Sequence, residues 1–194
     1  MSRIVLASKS PRRKELLENI GIKFEVFVTD ADESSVSKEL SPGDYVCELS
    51  KIKAEAAANV ITDKNTLVIG ADTVVVSEDG QILGKPLGKA DAVATLKMLS
   101  GRTHSVYTGV TVTGCGHSAS SYERTDVTFR CLTDKEINHY VENFTVTDKA
   151  GSYGIQEYAS IFVKKIEGDY FNIVGLPMCR LATMIYEEYG EELI

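Results

Sequence analysis

The stretch from Thr66 to Pro86 constrains most strongly what this chain can fold into. Two runs of β-branched and apolar residues, 66–76 and 81–86, flank a turn that ends in Asp79-Gly80. Such a pattern is typical of a β-hairpin. The first run is nearly continuous, as expected of a strand that is buried on both faces. The stretch therefore predicts a buried hairpin around which the other elements are arranged.

Asp72 interrupts the first of these runs, where a carboxylate has no role in packing. Burying an unpaired charge is costly, so a charged side chain in such a strand needs a partner or access to water. Two interpretations stay open. Asp72 either faces a cleft or meets a cationic group, or it caps a local turn after Gly70-Ala71.

The remaining pattern predicts one α/β domain over residues 1–194, with a long mixed β-sheet and flanking helices. Expected strands, besides the hairpin, lie at 4–7, 23–28, 104–112, 122–132, 161–166 and 170–174. Expected helices lie at 11–20, 42–60 and 89–99, after a capping box at 133–136, and from 178 to 189. In the second helix we expect an inward stripe formed by Tyr45, Leu49, Ile52 and Ala56.

The overall charge argues against a dedicated nucleic-acid-binding protein. The 194 residues carry a formal net charge of -7, so any bound anion must be held by a local cluster of cations. The four cysteines are widely spaced, which favours reduced thiols in a cytoplasmic protein. Cys115-Gly116-His117 is interpreted as a turn rather than a metal site. No stretch has the length of a membrane span, and we expect no membrane partner.

The segment around the first predicted helix has the features of an anion site. Ser10 suits the N-cap and Pro11 the first helical position, which places Arg12 and Arg13 in the first turn. Cations there are disfavoured by about 0.3–1 kcal/mol each. Free backbone N–H groups, the hydroxyls of Ser8 and Ser10, and these cations would suit a phosphate chain. The alternative is that both arginines point into solvent or pair with neighbouring acids.

Three further residues are candidates for the same chemistry. Glu33 belongs to an acidic segment that either solvates a loop or supplies the oxygen ligands that Mg²⁺ prefers. Lys53 borders the apolar stripe of its helix, where it either reaches a cleft or covers apolar surface with its stem. Lys85 lies in a tight segment between Gly84 and Pro86.

Six stretches together resemble one family, the Maf-type nucleoside triphosphate pyrophosphatases, first described as septum-formation inhibitors. They are Leu6-Ala7-Ser8-Lys9-Ser10-Pro11-Arg12-Arg13, Gly70-Ala71-Asp72-Thr73-Val74, Leu83-Gly84-Lys85-Pro86, Leu99-Ser100-Gly101 with His104, Asp148-Lys149-Ala150-Gly151-Ser152-Tyr153-Gly154-Ile155-Gln156, and Val174-Gly175-Leu176-Pro177. The resemblance covers essentially the whole chain, in order and spacing.

The resemblance implies a fold like that of the inosine triphosphate pyrophosphatases, with a cleft between two lobes. It implies hydrolysis of a nucleoside triphosphate to the monophosphate and pyrophosphate, dependent on a divalent metal such as Mg²⁺ or Mn²⁺. Asp72 matches the family's general base, and Glu33 with Asp72 its metal-holding carboxylates. The matching substrate-binding positions are Ser8, Arg12, Arg13, Lys53, Thr73, Lys85 and Gln156, of which Arg12, Thr73 and Gln156 determine specificity.

Within that family, the Ala-Asp-Thr form of the central motif resembles the members acting on dTTP and UTP. A glutamine amide such as that of Gln156 offers a donor and an acceptor to the N3–H and O4 edge of uracil or thymine. Glu157 is a departure, because many relatives carry glycine there. The alternative function is a nucleotide-binding regulator of cell division acting through a protein partner. The sequence leaves the oligomeric state open, with a homodimer as a candidate.

Overall fold

A computed structural model describes residues 2–28, 30–63 and 65–193. Within these ranges it has seven strands and six α-helices. The strands are β1 (Arg3–Ala7), β2 (Phe24–Val26), β3 (Thr66–Val76), β4 (Ile82–Leu83), β5 (Thr103–Gly114), β6 (His117–Phe129) and β7 (Val163–Glu167). The helices are α1 (Pro11–Asn19), α2 (Pro42–Ala58), α3 (Lys89–Leu99), α4 (Asp134–Asn143), α5 (Tyr170–Val174) and α6 (Met178–Tyr189). None of the described helices is long and apolar enough to cross a membrane.

The strands form one mixed sheet, as the sequence predicts. Its order is β2-β1-β3-β5-β6-β7, and β4 pairs with β3 off this path. β1 runs parallel to both β2 and β3, whereas the β3–β4 and β6–β7 pairs are antiparallel. The α/β class and the mixed sheet are thus confirmed.

The fold divides into two compact units. The first comprises Met1–Asp72, Thr108–Glu123 and Gly175–Ile194, and the second Thr73–Tyr107 and Arg124–Val174. The first unit contains β1, α1, β2, α2 and α6. The second contains β4, α3, α4, β7 and α5. Strands β3, β5 and β6 contribute residues to both.

The predicted central hairpin is present. Val75 pairs with Leu83 and Val76 with Ile82, and Gly80 takes the positive φ of 83° that the turn requires. Along β3 every residue is buried except Asp72 and Thr73, which are half-buried. The carboxylate therefore lies inside the strand, and the interpretation in which it caps a turn is wrong.

The predicted inward stripe of α2 is only partly correct. The buried positions include Val46, Leu49, Ala54 and Ala57, whereas Tyr45, Ile52 and Ala56 are half-buried. The reason is the close approach of this helix to the sheet backbone. A Cβ on Gly70 would lie 2.2 Å from the Ser50 carbonyl oxygen and 2.8 Å from the Ala54 nitrogen. Only small helical residues, such as Ser50 and Ala54, fit at that contact. The face of α2 that carries them is therefore turned toward the sheet, and Tyr45, Ile52 and Ala56 lie at its border.

The strand predicted at 122–132 is displaced toward the N-terminus. β6 starts at His117, and the connection from β5 is the two-residue turn of Cys115 and Gly116, whose φ values are 54° and 77°. Polar residues fill the first part of β6 and conceal its strand pattern. Their hydroxyls pair across to β5, as in the 2.9 Å contact between Thr113 and Ser118. The turn at Cys115-Gly116 is confirmed.

The strand predicted at 170–174 is a helix. Residues 170–174 form α5, and the Asp169 carboxylate accepts a hydrogen bond of 2.8 Å from the Phe171 backbone N–H at its start. The buried Asn172 amide donates to the Val106 carbonyl at 3.0 Å and to the Thr125 hydroxyl at 2.9 Å. These contacts within the second unit determine the local conformation more strongly than the apolar pattern does.

Candidate active site

Arg13 anchors the start of α1 to two other segments of the first unit. Its Nε donates to the Gly175 carbonyl at 2.7 Å, and its Nη1 donates to the Ala71 carbonyl at 2.9 Å. Nη1 also contacts the Ser8 hydroxyl at 3.1 Å. Burial lowers the pKa of the Arg13 guanidinium, while Asp72 and Glu33 act in the opposite direction. Arg13 therefore fixes the backbone just before Asp72, a structural role that the sequence did not indicate.

The β1–α1 turn has the expected layout with a different hydrogen bond. Ser10 occupies the N-cap and Pro11 follows at the first helical position, but the Ser10 side chain makes no capping hydrogen bond. Instead the Ser10 N–H donates to the Ser8 hydroxyl at 3.2 Å. The Ser8 hydroxyl thus links this turn to the Arg13 side chain. Arg12, the residue before Arg13 in the first turn of α1, is half-buried.

Lys53 brings together two carboxylates that are far apart in sequence. Its Nζ donates to Asp72 Oδ1 in a short hydrogen bond and lies 3.1 Å from Glu33 Oε1. The Lys53 and Asp72 side chains are only 17% and 16% exposed, whereas Glu33 is 56% exposed. The cationic partner expected for Asp72 is therefore Lys53. The contact between α2 and the Gly70 backbone places Lys53 within reach of Asp72.

Glu33 and Asp72 are carboxylates of the type that could contribute oxygen ligands to a divalent cation. Both carboxylates converge on one ammonium nitrogen, so their oxygens lie close together. Mg²⁺ is commonly bound by one or two carboxylates, with substrate phosphates and water completing its octahedron. Among the described residues no group of three or more His, Cys, Asp or Glu side chains could hold a metal by itself. The residues fit a metal that arrives with a phosphate ligand.

The sequence pattern predicts Tyr45 in the core stripe of α2, but Tyr45 lies in the electrostatic environment of this cluster. Partial burial raises the pKa of its phenol, and the charges of Asp72 and Glu33 raise it further. The sequence does not indicate that Tyr45 is close to these charges. Tyr45 lies one turn before Leu49, and an aromatic residue at helical spacing usually indicates packing.

The other predicted substrate-binding residues, Thr73, Lys85 and Gln156, belong to the second unit. Thr73 is half-buried in β3, directly after Asp72. Lys85 and Gln156 are both exposed. Their segments are joined by a hydrogen bond of 3.1 Å from the Gly151 backbone N–H to the Gly84 carbonyl.

The protein has a mixed-sheet α/β fold in which Lys53 contacts the carboxylates of Glu33 and Asp72. Arg12 and Arg13 lie in the first turn of α1. Such cations and carboxylates are the groups found in proteins that bind a phosphate chain with a divalent cation. The chain belongs to the Maf-like protein family, whose pattern matches residues 3–188. It is 50% identical over 181 residues to a Bacillus anthracis protein named dTTP/UTP pyrophosphatase, covering 93% of each chain. An Alkaliphilus metalliredigens protein of the same name is 44% identical over 196 residues, with both chains fully covered. A HAM1 protein from Coxiella burnetii has a similar solved structure, with a TM-score of 0.43, 17% identity and coverage of 66% of this chain and 73% of that one.

Proposed function

We propose that this chain is a hydrolase of acid anhydrides that cleaves nucleoside triphosphates to the monophosphate and pyrophosphate, with dTTP and UTP as favoured substrates. The observation that carries the proposal is the convergence of Glu33 and Asp72 on Lys53 in a Maf-like chain. The named activity of the Bacillus and Alkaliphilus relatives supports it. We further propose that residues 1–194 act as one catalytic domain in the cytoplasm.

The cluster supplies the groups that hydrolysis at the α-phosphate needs. A triphosphate carries a charge near -4, and we expect Arg12, Lys53 and Lys85 to supply the positive charge that neutralises it. In this proposal Asp72 is the general base that accepts a proton from the attacking water. Phosphoryl transfer otherwise needs mainly positioning and charge neutralisation, with little covalent participation by the protein.

Glu33 and Asp72 would hold the divalent cation, which we propose to be Mg²⁺ or Mn²⁺. When bound, such a cation neutralises phosphate charge and polarises the reacting phosphoryl group. Lys53 then has a second role: its ammonium holds the two carboxylates in place before substrate arrives. Arg13 supports the same arrangement, since it fixes the Ala71 carbonyl one residue before Asp72.

Base selection is assigned to Arg12, Thr73 and Gln156. An exposed glutamine amide can pair with the N3–H and O4 edge of a pyrimidine. A site built on such pairing disfavours a base that leaves its polar groups unpaired.

A pyrophosphate-release assay with Mg²⁺ and a panel of UTP, dTTP, CTP and GTP tests the proposal. The expected products are the monophosphate and pyrophosphate, with the highest kcat/KM for UTP and dTTP. Release of inorganic phosphate with a diphosphate would contradict the reaction assigned here. Tight binding of these nucleotides without pyrophosphate release would instead favour the regulator of cell division. Preference for GTP by tenfold, about 1.4 kcal/mol, would overturn only the pyrimidine assignment.

A further inference from the structure

Lys149 is a buried lysine at the start of the loop that carries Gln156. Its side chain is only 4% exposed, and its Nζ donates to the Thr145 carbonyl at 2.5 Å and to Asp148 Oδ1 at 3.1 Å. The third group around the ammonium is Glu157 Oε1, at 3.4 Å. A buried ammonium is tolerated only when it is paired and hydrogen-bonded. Glu157 shares this pairing with Asp148, the nearer of the two carboxylates, so Glu157 has a structural reason to be acidic.

The Lys149–Glu157 pair joins the two ends of this loop. Residues 151–155 are all buried, and Gln156 is the first exposed residue after them. The Glu157 backbone N–H donates to the Gly154 carbonyl at 3.2 Å, which closes a turn around Gln156.

The stem of Lys149 also supports the backbone of the loop. A Cβ on Gly154 would lie 2.7 Å from Lys149 Cε and 3.0 Å from its Cδ, so the glycine backbone rests on the lysine side chain. On this segment the Gly154 N–H donates to the Tyr140 hydroxyl at 3.2 Å. The backbone two residues before Gln156 is thus held by the lysine stem and by a tyrosine hydroxyl.

We infer that Lys149, held by Glu157, is a positioning residue that fixes the Gln156 amide for base selection. The inference rests on the proposed function. It adds that the Lys149–Glu157 ion pair orients Gln156, one of the residues proposed to select the base. A single amide discriminates between bases only if its donor and acceptor are held in one orientation. Glu157 then acts through the ammonium, and does not itself read the exocyclic amine of a base.

Kinetics on UTP and CTP separate this role from its alternatives. We expect Glu157→Gln and Lys149→Met each to reduce the kcat/KM preference for UTP over CTP by about tenfold. The double variant should reduce it no further, because both changes remove the same interaction. Glu142→Gln, an exposed carboxylate on α4, is the matched control and should keep the wild-type preference.

Different results would overturn the inference. A changed preference in Glu157→Gln with a wild-type preference in Lys149→Met would show that Glu157 reads the base directly. A lower melting temperature in both variants with an unchanged preference would show a purely structural ion pair.

Hydrogen exchange provides a readout that needs no turnover. In the nucleotide-free protein, a peptide covering residues 150–158 should exchange faster in Glu157→Gln than in wild type or Glu142→Gln. Unchanged exchange would overturn the inference even in an active enzyme. If the wild type releases no pyrophosphate, the proposed function fails, and the ratio of equilibrium affinities for UTP and CTP in the same variants decides the inference.

Discussion

At the scale of single residues, Asp72 is the side chain on which the chemistry depends most. Asp72→Asn keeps the shape of the side chain but removes its charge and its basicity. We expect turnover to fall by a factor of about 10² or more, the usual contribution of a positioned base. The measurement is kcat for UTP at saturating Mg²⁺, with the fold checked by circular dichroism.

Asp79→Asn is the matched control for this prediction. Asp79 lies in the exposed turn after the same strand, and its contact with Arg102 is long, at 3.8 Å. Its variant should retain wild-type turnover. Near-normal turnover in Asp72→Asn would contradict the role assigned to Asp72.

Arg13 gives a second prediction, in which the structure reverses the expectation from the helix dipole. The dipole argument alone expects Arg13→Ala to leave stability unchanged or slightly improved. The Ala71 and Gly175 carbonyls, however, would lose a charged donor. We therefore expect a loss of about 1–3 kcal/mol in the free energy of unfolding, measured by urea denaturation without nucleotide.

Arg12→Ala serves as the comparison for Arg13, since both remove a cation from the first turn of α1. Arg13→Lys should recover little of the lost stability, because one ammonium cannot reproduce the fork that serves separate acceptors. Equal unfolding free energies for Arg12→Ala and Arg13→Ala would contradict the anchoring role of Arg13.

At the scale of elements, the sequence predicted β3, its hairpin and the importance of Asp72, because these depend on local pattern. It could not show that Glu33 and Lys53 meet Asp72, since that contact depends on how closely α2 packs on β3. It missed α5, where hydrogen bonds of Asn172 to distant segments decide the conformation. It also missed the first part of β6, where polar side chains pair with the adjacent strand β5. It also gave Lys149 no role, because a lysine in a polar loop carries no signal of burial.

The contact between α2 and β3 yields a prediction of its own. Gly70→Ala places a Cβ 2.2 Å from the Ser50 carbonyl oxygen. Because both contacting segments are backbone, the overlap can be relieved only if α2 moves away from β3. We expect destabilisation of about 1–3 kcal/mol or more, and a loss of activity in the fraction that still folds, because Lys53 moves with α2. Thermal unfolding and kcat are the measurements.

Gly84→Ala is the control for this substitution, since a Cβ there meets nothing within 4 Å. Its melting temperature should stay close to that of the wild type. A Gly70→Ala protein with wild-type stability would show that the close helix–strand contact does not constrain the position of Lys53.

At the scale of the whole molecule, the stability of the fold should depend on one buried histidine. His104 is 1% exposed and lies edge-on to Phe129 and Tyr153, with its Nε2 2.8 Å from the Tyr153 hydroxyl. Its Nδ1 has no hydrogen-bond partner among the described residues. Burial lowers the pKa of His104 from 6.5 to about 4.

The lowered pKa makes stability fall as the solution is acidified. Between pH 6.5 and about 4 the unfolded chain binds a proton at His104 that the native protein does not bind. The stabilising contribution is thus complete above pH 6.5 and is lost as the pH falls toward 4. At 1.36 kcal/mol for each pKa unit, this amounts to up to about 3 kcal/mol.

Comparison of wild type with His104→Gln isolates this contribution from the carboxylates that also titrate in acid. The amide keeps a hydrogen-bonding group near Tyr153 but does not titrate. We expect the free energy of unfolding to fall more steeply in wild type than in His104→Gln between pH 7 and pH 4.5, as measured by urea denaturation. His139→Gln, at an exposed position on α4, should retain the wild-type slope. Parallel curves for wild type and His104→Gln would mean that His104 is protonated as readily in the native protein as in the unfolded chain.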